Sequence, residues 1–166
     1  MTENIKPIPE GFHTLTPYLV VRDAAKALEF YKRAFGAEIR SVHYTPDGKV
    51  MNANLRIGDS TLMLNEEFPG AVGCLSPQTL GGTTTTIHIY VHAADTLFNQ
   101  AVAAGATVTM PVMDAFWGDR YGQLQDPFGH RWSIATHQED LTPEEIEQRG
   151  KAVFAEMAKK HAAQNA

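Results

Sequence analysis

Cysteine is almost absent from this chain. Cys74 is the only thiol among 166 residues, so an intrachain disulfide and a thiolate metal cluster are both excluded. A lone cysteine in a loop is more often a small apolar residue than a nucleophile. No stretch reaches the roughly 20 apolar residues that span a bilayer, and residues 1–11 lack the apolar run of a secretory leader. A cytoplasmic location with no membrane partner is therefore expected. Excess positive charge is missing too. Fourteen Lys and Arg face 19 Asp and Glu, for a net charge of −5. With no basic stripe between aromatics, nucleic acid is not expected as a partner. There is no glycine-rich phosphate loop, no nucleophile elbow and no His-Glu-x-x-His.

What remains is the composition of a globular protein, 43% hydrophobic and 20% charged, in one domain over residues 1–166. Residues 1–11 carry Pro7, Pro9 and Gly11 and read as an irregular arm. Thr14 to Val21 is β-branched and aromatic, a strand pattern. Asp23 suits an N-cap, and Ala24, Leu28, Tyr31 and Phe35 then fall at helical spacing until Gly36 stops the helix. Three strands follow, over 37–45, 49–57 and 60–65, parted by Pro46-Asp47-Gly48 and Gly58-Asp59. In the middle strand Met51, Ala53, Leu55 and Ile57 alternate with Asn52, Asn54 and Arg56, a half-buried pattern. Residues 67–82 hold Pro69, Gly70, Gly73, Pro77, Gly81 and Gly82 and read as a linker.

The order then repeats: a strand over 83–91, a helix over 94–104 with Asp95 in its first turn, Gly105, and strands over 107–113, 120–125 and 130–136. Val21 and Val91 are 70 apart, Gly36-Ala37 and Gly105-Ala106 are 69 apart, and Leu64 and Ser133 are 69 apart. The chain is thus an α+β protein of two tandem βαβββ modules, about 13–66 and 83–137. A C-terminal helix over about 142–163 opens with the capping box Thr142-Pro143-Glu144-Glu145. Its Ile146, Val153, Phe154 and Met157 form a stripe that must cover its own sheet or a partner subunit.

The segment from Thr16 to Ala37, Thr-Pro-Tyr-Leu-Val-Val-Arg-Asp through Phe-Gly-Ala, resembles the first module of glyoxalase/bleomycin-resistance proteins. The run Tyr121 to Ile134, with Asp126-Pro-Phe-Gly-His130, resembles the closing hairpin of the second. With Trp117-Gly118-Asp119-Arg120 the pattern is similar to the PhnB-like branch of this vicinal oxygen chelate superfamily, over roughly 13–136. The resemblance implies a mixed sheet curled around a cavity, pairing into a homodimer, and in many members a divalent metal held from the first and last strand of each module. Those positions fall here on Thr16, Leu64, Thr86 and Ser133. None is an imidazole or carboxylate, the donors that Fe, Ni and Zn prefer, so no metal and no cofactor is expected.

Alternation places Thr16, Tyr18 and Val20 on one face of the first strand, and Thr86, His88 and Tyr90 on the same face of its counterpart. Ile87, Ile89 and Val91 would face the helix. His88 is then a ligand-binding or acid–base group, or a hydrogen-bonded sheet histidine. Trp117 and Arg120 suit stacking and anion binding at a cavity mouth, or else Trp117 fills the core and Arg120 pairs with Asp119 or Asp126. His88 and Glu66 lie beyond family ligand positions, which makes two ligands of a displaced metal site at best. His43, His92 and His161 read as solvated, His130 and His137 as structural or exposed, and Asp126-Pro127-Phe128-Gly129 as a turn. The expected function is small-molecule binding or sequestration, with Thr16, Tyr18, Thr86, His88, Tyr90, Trp117, Arg120 and Ser133 at the site. The alternatives are a metal-dependent lyase, isomerase or dioxygenase with relocated ligands, and a metal-free acid–base enzyme using His88.

Overall fold

The computed structural model describes residues 5–70 and 74–164. Module one runs β1 (Tyr18–Val21), α1 (Ala24–Phe35), β2 (Glu38–Tyr44), β3 (Val50–Ile57) and β4 (Ser60–Glu66). A short helix, α2 (Pro77–Leu80), interrupts the segment read as irregular linker. The Ser76 hydroxyl accepts from the Thr79 N–H and Pro77 occupies the first turn, where its missing N–H costs nothing. Module two repeats the order with β5 (Thr86–Tyr90), α3 (Ala94–Ala104), β6 (Thr107–Asp114), β7 (Asp119–Gln125) and β8 (Arg131–His137), and α4 (Pro143–Gln164) closes the chain. Each module forms its own four-stranded mixed sheet, β1-β4-β3-β2 and β5-β8-β7-β6. These are two open sheets and not one closed wall.

Helix α1 starts where its donors are satisfied. Asp23 sits at φ 66, and among the described residues it is the only non-glycine with positive φ. Its carboxylate accepts from the Lys26 N–H at 3.2 Å. Glu66 accepts from the N–H groups of Asp23 and Ala24 at 2.9 and 2.7 Å. Three orphan donors of the first turn are thereby capped. Both oxygens of Glu66 are committed to that cap, which corrects its reading as a displaced metal ligand.

Register decides which residues face the helices. Leu19 lies opposite Leu64, Leu55 opposite Leu62, Ile87 opposite Trp132 and Ile89 opposite Ile134. Phe30, Tyr31 and Phe35 of α1 meet Phe128 and Trp132 of module two, with ring centroids 4.5–6.2 Å apart. The two modules therefore share one core. Asp126 fastens them. Its buried carboxylate accepts from the Tyr31 hydroxyl at 2.7 Å, the Trp132 indole at 2.8 Å, and the N–H groups of Phe128 and His130 at 2.9 Å. His130 Nε2 lies 3.0 Å from the Val20 carbonyl. A segment that reads as a plain turn in sequence is a pin between modules.

The hairpins of the two modules differ by one residue. Arg56 pairs with Thr61 across 57–60, whereas Gln125 pairs with Arg131 across 126–130. The repeat offset is therefore 69 in β3 and β7 but 70 in β4 and β8. The offset of 69 that matched Leu64 to Ser133 is off by one, and a one-residue slip exchanges the faces of a strand. Leu64 is fully buried on the helix side. Met63, in register with Tyr18, takes the place corresponding to Ser133 on the face turned away from the helices, called the open face below.

Both bonds of the α4 capping box form, Thr142 N–H to Glu145 at 2.8 Å and Glu145 N–H to the Thr142 hydroxyl at 3.2 Å. Gly150 lies against Phe116, close enough that a Cβ would come within 3.1 Å of the ring. Phe154 meets the same ring edge-on at 5.7 Å. One stripe residue, Phe154, and Gly150 thus meet the β6–β7 hairpin of their own chain at Phe116, and Phe154 and Met157 stay largely exposed.

Candidate functional site

The open face of module two is built by three strands in register. His88 of β5 lies opposite Ser133 of β8, which lies opposite Gln123 of β7. Tyr90 lies opposite Ala135, and Ala135 opposite Tyr121. Asp119 lies opposite His137 at the strand ends. The helix face is marked independently: a Cβ on Gly122 would strike Phe98 of α3 at 2.7 Å. Asp119, Tyr121 and Gln123 therefore point the other way.

Asp119 is the hub of this face. It is 3% exposed, and its Oδ2 accepts from the Tyr90 hydroxyl at 2.9 Å and the Trp117 indole N–H at 3.0 Å. Its Oδ1 meets His137 Nδ1 at 2.9 Å, and His137 Nε2 meets Asp140 at 2.9 Å. Burial pushes the Asp119 carboxyl up, but the bonds from His137, Tyr90 and Trp117 outweigh it and the net direction is down. The same carboxylate raises the Tyr90 phenol. His137 is held above the usual imidazole range by Asp140 and Asp119. A neutral imidazole has one N–H, so a carboxylate on each nitrogen favours the protonated ring.

His88 stands beside this hub. Its Nδ1 lies 2.7 Å from the Ser133 oxygen, and Ser133 is 2% exposed. Burial lowers the His88 pKa against the opposing pull of Asp119, which favours the neutral ring. Its centroid is 4.4 Å from Tyr90, edge-on, and 6.0 Å from Tyr121, near parallel. Trp117 meets Tyr121 edge-on at 5.2 Å. A cleft of about 590 Å³ runs along β5 between the modules, lined by Thr16 and Leu62 on one side and by His88, Tyr90 and the helix-facing Ile87, Ile89, Leu97 and Trp132 on the other; Trp117, Tyr121 and Ser133 do not line it. That is a ligand-sized space.

The residues expected from sequence fall into three groups. His88, Tyr90, Trp117 and Ser133 come together. Tyr18 belongs to the open face of module one, where its hydroxyl accepts from the Asn52 amide at 3.2 Å. Thr16 borders the cleft with its hydroxyl on the His13 carbonyl, and Thr86 lies exposed at the start of β5, opposite Arg131. Arg120 is a correction. It shares the helix side of β7 with Gly122 and Leu124, and its guanidinium binds Asp95 of α3 at 2.9 and 2.8 Å and Asp114 at 3.2 Å. It is neither at the rim nor on Asp119 or Asp126. Sequence reasoning missed Asp119, Tyr121 and His137 as site residues. Alternation backward from Leu124 would have found the first two.

Thr16, Met63, Thr86 and Ser133 do not offer the imidazole or carboxylate set of a divalent transition metal. Among the described residues, no three His, Cys, Asp or Glu side chains gather as a metal-holding group. Nor is any helix there long and apolar enough to cross a membrane.

Comparison with known proteins agrees with this architecture. The chain is 43% identical over 149 residues to the protein Mb0911c of Mycobacterium bovis, covering 89% of this chain and 94% of that one. The crystal structure of PA1353 from Pseudomonas aeruginosa superposes with a TM-score of 0.63 at 26% identity, over 76% of this chain and 99% of that one. The PhnB protein from Bacillus cereus shares the fold, with a TM-score of 0.58 at 19% identity over 75% and 99% of the two chains. The family model for the Glyoxalase/Bleomycin resistance protein/Dioxygenase superfamily matches residues 11–134, and the chain belongs to that superfamily.

Proposed function

We propose that this protein binds or sequesters a small, partly aromatic or amphipathic molecule on the open face of module two, without a metal. The observation that carries this reading is the cluster of the His88, Tyr90, Trp117 and Tyr121 rings, of which His88 and Tyr90 also line a ligand-sized cleft. Such a surface offers broad apolar contact and few polar anchors, the usual makeup of a small-molecule site. The carboxylate of Asp119 is already engaged by three donors, so it organises the face and does not serve as a free base. A thermal-shift screen of small aromatic and amphipathic compounds tests the proposal. Compounds that stabilise the native protein and lose that effect in His88→Ala support it. A stoichiometric transition metal in the purified protein would overturn the metal-free reading.

A second reading, metal-free acid–base catalysis, is favoured by one contact. The Ser133 oxygen at 2.7 Å orients the His88 imidazole, whose burial favours the neutral form that can take a proton. Ser133 is too buried to attack a substrate itself.

The assembly we propose is a homodimer, located in the cytoplasm. The outer strands β2 and β6 present unpaired edges. Tyr44, Met51, Tyr90 and Met113 leave apolar area exposed in the single chain. A monomeric mass by light scattering at micromolar concentration would overturn this.

A further inference from the structure

We infer that the site takes an organic cation, an alkyl- or quaternary ammonium group carried on an apolar body. This rests on the proposed binding role of module two's open face and narrows its chemistry. Three features of the face favour a positive charge over a neutral or negative ligand.

The first is the ring set. Tyr90, Trp117 and Tyr121 form a cluster of rings, with Tyr90 62% exposed and Trp117 and Tyr121 half-buried. His88 lies among them, and its burial disfavours the charged ring. A cation over several such faces is held by the ring quadrupoles. The second is the way Asp119 uses those rings. The Tyr90 hydroxyl and the Trp117 indole N–H both donate to one buried carboxylate oxygen. Donation to an anion moves electron density into the ring, which makes its face more negative. The third is the charge sum. Asp119 and Asp140 both meet the one imidazole of His137, so even a protonated ring leaves one carboxylate charge unmatched. Among the described residues no lysine or arginine forms an ion pair with either carboxylate. Arg120 points to the helix side, where Asp95 and Asp114 hold it, and Arg131 is at the far end of β8 opposite Thr86. Arg149 is bound to Glu139.

Choline and its carbon isostere 3,3-dimethyl-1-butanol have nearly the same shape and differ in charge. Each is titrated into uniformly ¹⁵N-labelled full-length protein, and the Trp117 indole N–H signal is followed. Trp132, whose indole N–H is bound to Asp126 in the core, is the internal reference, and Trp117→Phe assigns the two signals. The expected result is that choline shifts Trp117 at about tenfold lower concentration than the alcohol, the scale of a partly desolvated cation–π contact. Asp119→Asn, which keeps the shape and removes the charge, narrows that gap. Equal or tighter binding of the alcohol overturns the cation inference and leaves the binding role intact. Binding of screened neutral or anionic compounds with no response to choline does the same. If no compound of any charge moves Trp117, both the inference and the binding role fall.

Discussion

On the open face of module one the strands present Tyr18, Asn52, Asn54 and Met63. On module two the equivalent strands present His88, Tyr90, Tyr121, Gln123 and Ser133. The first set makes two amide bonds, Asn52 to the Tyr18 hydroxyl and Asn54 to the Ser41 hydroxyl, and leaves the buried Asn54 Oδ1 without a partner among the described residues. The second gathers aromatic rings beside a buried carboxylate, and its His88 and Tyr90 reach the cleft. The helix-facing sides, by contrast, match almost pair for pair: Leu19 with Ile89, Leu55 with Leu124, Leu62 with Trp132 and Leu64 with Ile134. The helix side must pack at crystal-like density, so each module reuses apolar residues there. The open side answers only to water or ligand, and there the copies have diverged. Chemistry is to be sought where a repeat stops resembling itself.

The largest test of that contrast is the hairpin that differs in length. Asp126→Ala strands four buried donors and should cost about 3 kcal/mol or more, read as a lower urea midpoint. Asp59→Ala, in the shorter hairpin of module one, should stay within about 0.5 kcal/mol. Comparable costs at the two sites would mean that the modules are not pinned through Asp126.

Next in size is the hub. Asp119→Asn removes the charge that Tyr90, Trp117 and His137 share. It should cost about 1–2 kcal/mol and shift Trp117 fluorescence, while Asn52→Ala on module one leaves the emission unchanged. Smaller again is His88→Ala, which should weaken binding of screened compounds several-fold, about 1 kcal/mol for one hydrogen bond, without lowering the melting temperature by more than a few degrees. If Asn52→Ala weakens binding as much, the site spans both modules.

The smallest effects are those of pH, and they have opposite signs in the two modules. His137 has a folded-state pKa raised by Asp140 and Asp119. Its stabilisation is full below the unfolded value of about 6.5 and is lost as pH rises through the folded value. The gap in urea midpoint between wild type and His137→Ala should therefore be wide in mild acid and close in alkali. Glu67, at the end of module one, is held at about 2 by bonds from Thr79, the Ser76 N–H and Arg22. Its stabilisation is present above the unfolded value of about 4.3 and is lost as pH falls toward 2. Glu67→Gln should thus narrow the wild-type advantage only in acid. A His137→Ala gap that widens with pH would show that its two carboxylate contacts do not form in solution.

Much of this was written along the chain. Periods of 2 and 3.6, the Asp23 cap, the Gly36 and Gly105 stops, the Thr142 capping box and the doubled order of elements are local signals, and each marks an element present in the structure. Alternation also assigned His88 and Tyr90 to one face and Ile87 and Ile89 to the other, since side chains along a strand can only alternate. Arg120 was misplaced although alternation from Leu124 assigns it to the helix side, whereas Leu64 was misplaced for want of register. A face is known only once register is known, and register at a hairpin depends on a single residue of loop length. Strand pairing alone disclosed the extra residue in 126–130. The roles of Asp126, Asp119 and His137 lay further out of reach. Each joins side chains that are distant in sequence, Tyr31 with Asp126 and Tyr90 with Asp119, and no local pattern encodes a partner that only packing brings near. The sequence by itself determined the elements, their order and their apolar faces. The tertiary structure decided which polar groups meet, because a buried carboxylate must find donors wherever the fold supplies them.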